Sequence, residues 1–188
     1  MVQVFYSTPY LFGDIGKGIN DFIELLPDDA WVCIRDSDTL FMTPNQQAQI
    51  QDIVESNPPF DLIGCRTNRL RSPYQAIEGA FDQDSLFYHL ALAKQREREY
   101  YGVIDELPSP NVVAGMFMLF RKELWLEIPF PERTIQFDMI YSNQLREAGK
   151  TLGIAQGLYL LHLYRYGAED PYKAIDHILH CHDFDISQ

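Results

Sequence analysis

The apolar and polar positions of this chain follow two periods, one typical of strands and one typical of helices. Residues 31–35 and 111–120 are mostly apolar runs, the pattern of strands that are buried on both faces. Between such runs, apolar residues recur every three or four positions, as in Ile15, Ile19 and Ile23, which predicts helices with one buried face. The alternation predicts an α/β fold with a mostly parallel central sheet and helices on both faces.

The same patterns place the elements along one domain that covers residues 1–188. Its core is expected to span about residues 2–165, followed by a C-terminal helix at about 171–182. Strands are predicted at 2–7, 31–35, 60–65, 111–120 and 154–163, and helices are predicted to begin near 14, 43, 84, 137 and 171.

The amino-acid composition limits the classes of molecule that this protein is expected to bind. With 27 acidic and 15 basic residues, the net charge of −12 disfavours passive binding to nucleic acid or anionic lipid. No run approaches the roughly 20 apolar residues of a membrane span, and no basic region precedes the first strand. We therefore expect a soluble, cytoplasmic protein without a transmembrane segment. The 3 cysteines are widely spaced and are expected to be reduced core residues rather than a zinc site.

The first candidate for chemistry is the carboxylate pair Asp36 and Asp38, which directly follows the apolar run 31–35. In an extended chain the two side chains would point to the same side, about 7 Å apart. Like charges at that spacing raise each other's pKa unless a cation lies between them. Oxygen ligands suit Mg²⁺ or Mn²⁺, so a metal–diphosphate site is one interpretation, and a simple Asp-Ser-Asp turn is the other.

Three further stretches are candidates for ligand contact. Lys17 lies between two glycines at a predicted helix start, which favours a phosphate or a base edge; the alternative is a loop before a later helix. Residues 66–71, which include Arg66 and Arg69, form the densest basic stretch and are either a phosphate-facing loop or a solvated turn. Gly115 interrupts an apolar run, which indicates a bulge or the close approach of a ligand.

The order of these features resembles the nucleotide-sugar glycosyltransferases of the GT-A fold, particularly those of family 2. In that family a helix with an Asn precedes a strand ending in Asp-x-Asp. A hydrophobic strand with a glycine, an acidic residue opening a helix that ends in Arg-x-x-Gly, and a strand ending in His then follow. The matching positions, in chain order, are Asn20, Asp36, Asp38, Gly115, Asp138, Arg146, Gly149 and His162.

This resemblance implies a metal-dependent, inverting sugar transfer. Asp38 and His162 would bind Mn²⁺ or Mg²⁺, and Asp36 would touch the ion or the ribose of the donor. The donor would be a nucleotide-diphosphate sugar, a UDP-sugar first, and the acceptor a saccharide or another hydroxyl compound. Asp138 would accept the proton of the attacking hydroxyl. The residues expected to contact the nucleotide and its phosphates are Lys17, Asn20, Asp36, Arg66, Arg69, Gly115, Tyr164 and Arg165.

Two departures from the family pattern leave alternatives open. Phe137 stands where the family has a Glu before the acidic residue, and only one strand and one helix precede the Asp-x-Asp. A non-catalytic protein of the same fold that binds a nucleotide sugar or a carbohydrate is one alternative. The other is a haloacid-dehalogenase-type phosphatase, whose nucleophile motif resembles Asp36 to Asp38 followed by Thr39, although that family has a glycine in place of the threonine.

Overall fold

The computed structural model describes residues 2–8, 11, 13–70 and 72–163. The predicted helix at 171–182, together with Tyr164 and Arg165, lies outside these described residues. Within the described ranges, no helix combines the length and the apolar character needed to cross a membrane.

The described elements follow the predicted alternation of strands and helices except at three short additional elements. The strands are β1 (Val4–Ser7), β2 (Trp31–Arg35), β3 (Thr39–Phe41), β4 (Leu62–Thr67), β5 (Ile104–Glu106), β6 (Phe117–Arg121) and β7 (Leu152–His162). The helices are α1 (Ile15–Glu24), α2 (Asn45–Ser56), α3 (Leu86–Tyr100), α4 (Lys122–Glu127) and α5 (Phe137–Glu147). The short elements β3, β5 and α4 were not predicted, because three to six residues are too few to show a period.

The sheet is mixed rather than mostly parallel. Its strand order is β1-β2-β6-β4-β7-β3, with β5 paired to β7. Only the pairs β1–β2 and β4–β7 are parallel, and the other four pairings are antiparallel. The prediction of a mostly parallel sheet therefore needs correction. A continuous apolar run indicates that a strand is buried on both faces, but it does not indicate the direction of the strand. The strand β6 is buried on both faces between β2 and β4, and it runs antiparallel to both.

Helices cover both faces of the sheet, as predicted. Val32 and Ile34 of β2 pack with α1 and α5 in one apolar cluster. Trp31 and Cys33, the alternate residues of the same strand, pack with α2 in the other cluster. Cys33 and Cys65 are buried and form no disulfide. Because alternate side chains of β2 point to opposite faces of the sheet, this one strand contributes to both apolar clusters.

The predicted strand at 111–120 is only half formed, since β6 begins at Phe117. The N–H groups of residues 113, 114 and 115 donate to the side chains of Ser142 (3.1 Å), Gln75 (2.9 Å) and Asp138 (2.9 Å). Donors that bond to side chains are not available to a neighbouring strand. The apolar residues of this segment are buried in a loop, and that loop borders the candidate site.

Candidate metal centre

The carboxylate pair lies in a tight turn at the end of β2. The carbonyl oxygen of Asp36 accepts hydrogen bonds from the backbone N–H of Thr39 (3.3 Å) and from its hydroxyl (2.8 Å). This turn reverses the chain from β2 into β3, so the pair is not on an extended strand as one interpretation assumed. The turn that one interpretation of the sequence predicted is present, and the metal site of the other interpretation stays a prediction.

The pairing of β3 with β7 brings His162 to the carboxylates. Thr39 is the register partner of His162, and the carbonyl of Asp38 accepts the N–H of Leu163 at 2.8 Å. The Nε2 atom of His162 then lies 3.4 Å from Oδ1 of Asp38. A strand of only three residues therefore unites positions that are more than 120 residues apart in the chain.

Asp36, Asp38 and His162 form one cluster whose potential ligand atoms all lie within 4.8 Å of one another. His162 is buried, Asp38 is partly exposed and Asp36 is exposed, so the cluster has a protein side and a solvent side. Two carboxylates and one imidazole suit Mn²⁺ or Mg²⁺, ions that keep positions open for water or phosphate oxygens. The donor set and the open side both fit such an ion.

The imidazole of His162 is oriented by the backbone. Its Nδ1 lies 2.9 Å from the carbonyl oxygen of Arg69, and the backbone N–H of His162 donates to Oδ1 of Asn68 at 2.8 Å. Because a carbonyl only accepts, Nδ1 carries the proton, and Nε2 presents its lone pair to the cluster in the neutral ring. Metal-binding histidines are commonly held in this way.

The two carboxylates have opposite pKa shifts. The pKa of Asp36 is raised, chiefly because surrounding protein atoms displace water from its carboxylate although the residue as a whole is exposed. His162 opposes that rise, while Asp38 and Asp138 add to it. The pKa of Asp38 is lowered by its hydrogen bond to His162. In the absence of a cation, Asp36 thus holds its negative charge at a free-energy cost that a bound divalent ion would relieve.

Asp138 lies beside this cluster without belonging to it. It occupies the first turn of α5 and lines a cleft of about 640 Å³ that His162 also borders. Its carboxylate accepts the N–H of Gly115 at 2.9 Å and the N–H of Met139 at 2.8 Å. These two bonds hold the carboxylate in place, and each oxygen retains a lone pair for a further donor. Asp138 is therefore positioned to accept a proton from a molecule in the cleft.

Gly115 can lie between Asp138 and Phe137 because it has no side chain. A Cβ atom at this position would overlap the ring of Phe137, the residue just before Asp138. Phe137 is itself buried in the core cluster that contains Tyr141. The sequence predicted a bulge or the close approach of a ligand at Gly115; the group that lies against Gly115 in the structure is the ring of Phe137, and the Gly115 N–H bonds to Asp138.

Two residues predicted to contact the nucleotide lie at α1, where they are engaged with other parts of the protein. The ammonium group of Lys17 is exposed and pairs with Asp21 at 2.6 Å. The side-chain oxygen of Asn20 accepts hydrogen bonds from Trp125 (2.8 Å) and from the backbone of Phe130 (3.0 Å). Its NH₂ group donates to the Phe130 carbonyl at 3.0 Å. Asn20 therefore attaches α1 to the segment before α5.

In the basic stretch 66–71, Arg66 and Arg69 are bonded to other parts of the protein, while Arg71 lies outside the described residues. Arg66 donates to the carbonyls of Tyr74 (2.5 Å) and Ala76 (3.3 Å), and burial lowers its pKa. Arg69 is buried, donates to a backbone carbonyl and pairs with Asp84 at 2.6 Å. These arginines hold the loop whose backbone orients His162.

The residues that hold His162 and the loop before β6 in place were not predicted from the sequence. Asn68 and the carbonyl of Arg69 orient His162, and Gln75 bonds both to the loop before β6 and to the carbonyl of Cys65 at 3.0 Å. Polar residues on loops have no period to mark them. The only available indication was a polar run directly after a buried strand.

Comparisons with known proteins do not assign a family. No protein-family model matches this chain, and no curated protein is significantly similar to it.

Proposed function

We propose that this protein is a metal-dependent glycosyltransferase related to the GT-A fold, which moves a sugar from a nucleotide-diphosphate sugar to an acceptor hydroxyl. The observation that carries the proposal is the placement of the Asp36, Asp38 and His162 cluster next to a cleft that contains Asp138. The cluster can hold a cation and, through it, the diphosphate of the donor. Asp138 in the cleft can accept a proton.

The donor half of the reaction depends on the cluster. Asp38 and His162 would hold Mn²⁺ or Mg²⁺, with Asp36 on the solvent side toward the ion or the ribose. When bound, such an ion neutralises the donor diphosphate and stabilises the charge that develops on the leaving nucleoside diphosphate. Because the net charge is −12, the protein repels a polyanionic donor unless a cation or a local basic patch offsets that repulsion.

Asp138 carries the acceptor half of the reaction. Its carboxylate takes the proton of an acceptor hydroxyl, and the oxygen attacks the anomeric carbon of the sugar. The bond from that carbon to the diphosphate breaks, and its electron pair leaves with the nucleoside diphosphate. Because attack and departure occur on opposite faces of the sugar, the configuration inverts.

The two buried cysteines without a disulfide, Cys33 and Cys65, support a cytoplasmic location for this reaction.

A non-catalytic protein that binds the same donor is the second candidate, and Phe137 is the observation that favours it. Where the resembling family has a second acidic residue, this chain has an aromatic ring packed into the core. Such a protein would use the cluster for the donor and would leave Asp138 as a helix-start residue bonded to Gly115.

A screen of sugar nucleotides separates the two candidates. Thermal unfolding with and without Mn²⁺ identifies the donor, since a ligand at 100 times its dissociation constant stabilises by about 2.7 kcal/mol. Release of nucleoside diphosphate is then measured for the wild type and for Asp138→Asn. The glycosyltransferase releases it and the variant does so far more slowly, whereas a binding protein responds to the donor but never consumes it.

A further inference from the structure

The cleft beside Asp138 differs from the other large surface clefts of the described residues. Clefts of about 630 Å³ and 700 Å³ occur near the start of β1, and each exposes about as much polar as apolar surface. The cleft of about 640 Å³ beside Asp138 is mainly apolar. Its apolar wall consists of Leu70, Pro73, Pro110, Val112, Ile135 and Met139.

Two of these apolar side chains flank Asp138 and remain open to solvent. Ile135 is 57% exposed and Met139 is 40% exposed, although burial of such side chains is normally favourable. Met139 follows Asp138 directly in the chain, and both residues line the cleft. The carboxylate of Asp138 thus shares its cleft with more apolar than polar surface, and the other polar residues that line the cleft are Ser72, Asn111, Gln136, Asn143 and His162.

The cleft lies directly beside the cluster of Asp36, Asp38 and His162. His162, a member of the cluster with Asp36 and Asp38, lines the same cleft as Asp138. A donor held at the cluster would place its sugar toward Asp138. The wall that includes Ile135 and Pro110 is then left for the acceptor.

We infer that the acceptor is a compound whose hydroxyl group adjoins an aliphatic or aromatic portion, and that this portion occupies the apolar wall of the cleft. The inference rests on the proposed function and adds the class of acceptor. A volume of about 640 Å³ accommodates a sugar together with such a portion. Burying the acceptor's apolar portion also covers Ile135 and Met139, which removes their apolar surface from water.

Hexyl β-glucoside and methyl β-glucoside test this inference, since they differ only in five methylene groups. Binding of each to the wild type is measured by saturation-transfer NMR in the presence of Mg²⁺ and the donor found by the screen. Because each fully buried methylene contributes about 0.8 kcal/mol, even partial burial of the chain should make hexyl glucoside bind at least about tenfold more tightly. Saturation should be strongest on the hexyl protons.

A matched pair of variants assigns the effect to this cleft. Ile135→Asn replaces an exposed side chain of the apolar wall, and Leu126→Asn replaces a side chain of α4 that is equally exposed, at 56% against 57%. Both substitutions affect side chains that are already half in water, so folding should tolerate them. The Ile135 variant should lose about fivefold to tenfold of the preference for hexyl glucoside, and the Leu126 variant should keep it.

The possible outcomes distinguish the acceptor from the reaction. Equal affinity for the two glucosides, with metal-dependent donor binding intact, overturns the acceptor class and leaves the proposed function in place. Loss of the preference in both variants, or in neither, overturns its assignment to this cleft. A protein that binds no sugar nucleotide with either metal ion overturns the proposed function, and the acceptor class falls with it.

Discussion

The substitution Asp38→Asn tests the metal centre most directly. It keeps the size and shape of the side chain but removes one of the two carboxylates whose oxygens lie within 4.8 Å of the imidazole of His162. The amide lacks the negative charge that pairs with Nε2, which lies 3.4 Å away, whenever this nitrogen also carries a proton. It also relieves part of the repulsion that raises the pKa of Asp36.

The expected magnitude differs between the metal-free and the metal-bound protein. The Asp38 side chain is 43% exposed, so its pair with His162 contributes at most about 1 kcal/mol, and the relief at Asp36 offsets it. Without metal, the melting temperature should therefore change by only about 4 °C or less. At 100 times its dissociation constant, Mn²⁺ stabilises the wild type by about 2.7 kcal/mol, or about 5 to 11 °C for a chain of this size.

The variant should lose nearly all of that response. If removal of the charged ligand weakens Mn²⁺ binding about 100-fold, the same Mn²⁺ concentration stabilises the variant by only about 0.4 kcal/mol, or about 1 to 2 °C. The assay is differential scanning fluorimetry with a Mn²⁺ titration, supported by calorimetric titration. Asp29→Asn, a change of equal charge in the exposed turn before β2, should retain the full response. An undiminished shift in the Asp38 variant would refute the proposed cluster.

Three further substitutions test the rest of the site. Asp138→Asn should lower the rate of sugar transfer by roughly 10² to 10⁴ while leaving donor affinity nearly unchanged; equal turnover would assign the base to another residue. Gly115→Ala should lower the free energy of unfolding by about 1–3 kcal/mol in urea denaturation, because the new Cβ overlaps the ring of Phe137. Unchanged stability would mean that the ring moves freely. Because the pKa of Asp36 is raised, its ionisation disfavours the folded state, and stability present in acid is lost as pH rises through that pKa. Asp36→Asn should therefore stabilise the metal-free protein at neutral pH and weaken the Mn²⁺ response; denaturation at acid and neutral pH checks this, and a less stable variant at neutral pH contradicts it.

Much of the local structure follows from the sequence alone. The period of apolar residues located α1 near its predicted start at residue 14, where the side chain of Asp14 accepts the N–H of Lys17 at 3.0 Å. The apolar run after position 30 located β2, and its character correctly indicated burial on both faces. Asp138 was expected in the first turn of a helix, and α5 places it there. These features depend on neighbours within a few residues, and a linear pattern records such neighbours directly.

Only the tertiary structure showed in which direction each strand runs and with which strands it pairs. Any strand with an apolar face can pair on either side and in either direction, because every backbone offers the same donors and acceptors. The pattern at 111–120 therefore did not reveal that β6 runs antiparallel between β2 and β4, or that residues 113–115 bond to side chains. It also did not reveal that Asn20 attaches α1 to the segment before α5.

The cluster of Asp36, Asp38 and His162 depends on both the sequence and the tertiary structure. The sequence determined that two carboxylates follow one buried strand and that a histidine ends another. Only the pairing of Thr39 with His162 across β3 and β7 brings the imidazole within 3.4 Å of Asp38, and only the carbonyl of Arg69 fixes which ring nitrogen faces the carboxylates. Residue types set which ligands are available, whereas long-range hydrogen bonds between strands set the distances at which they meet.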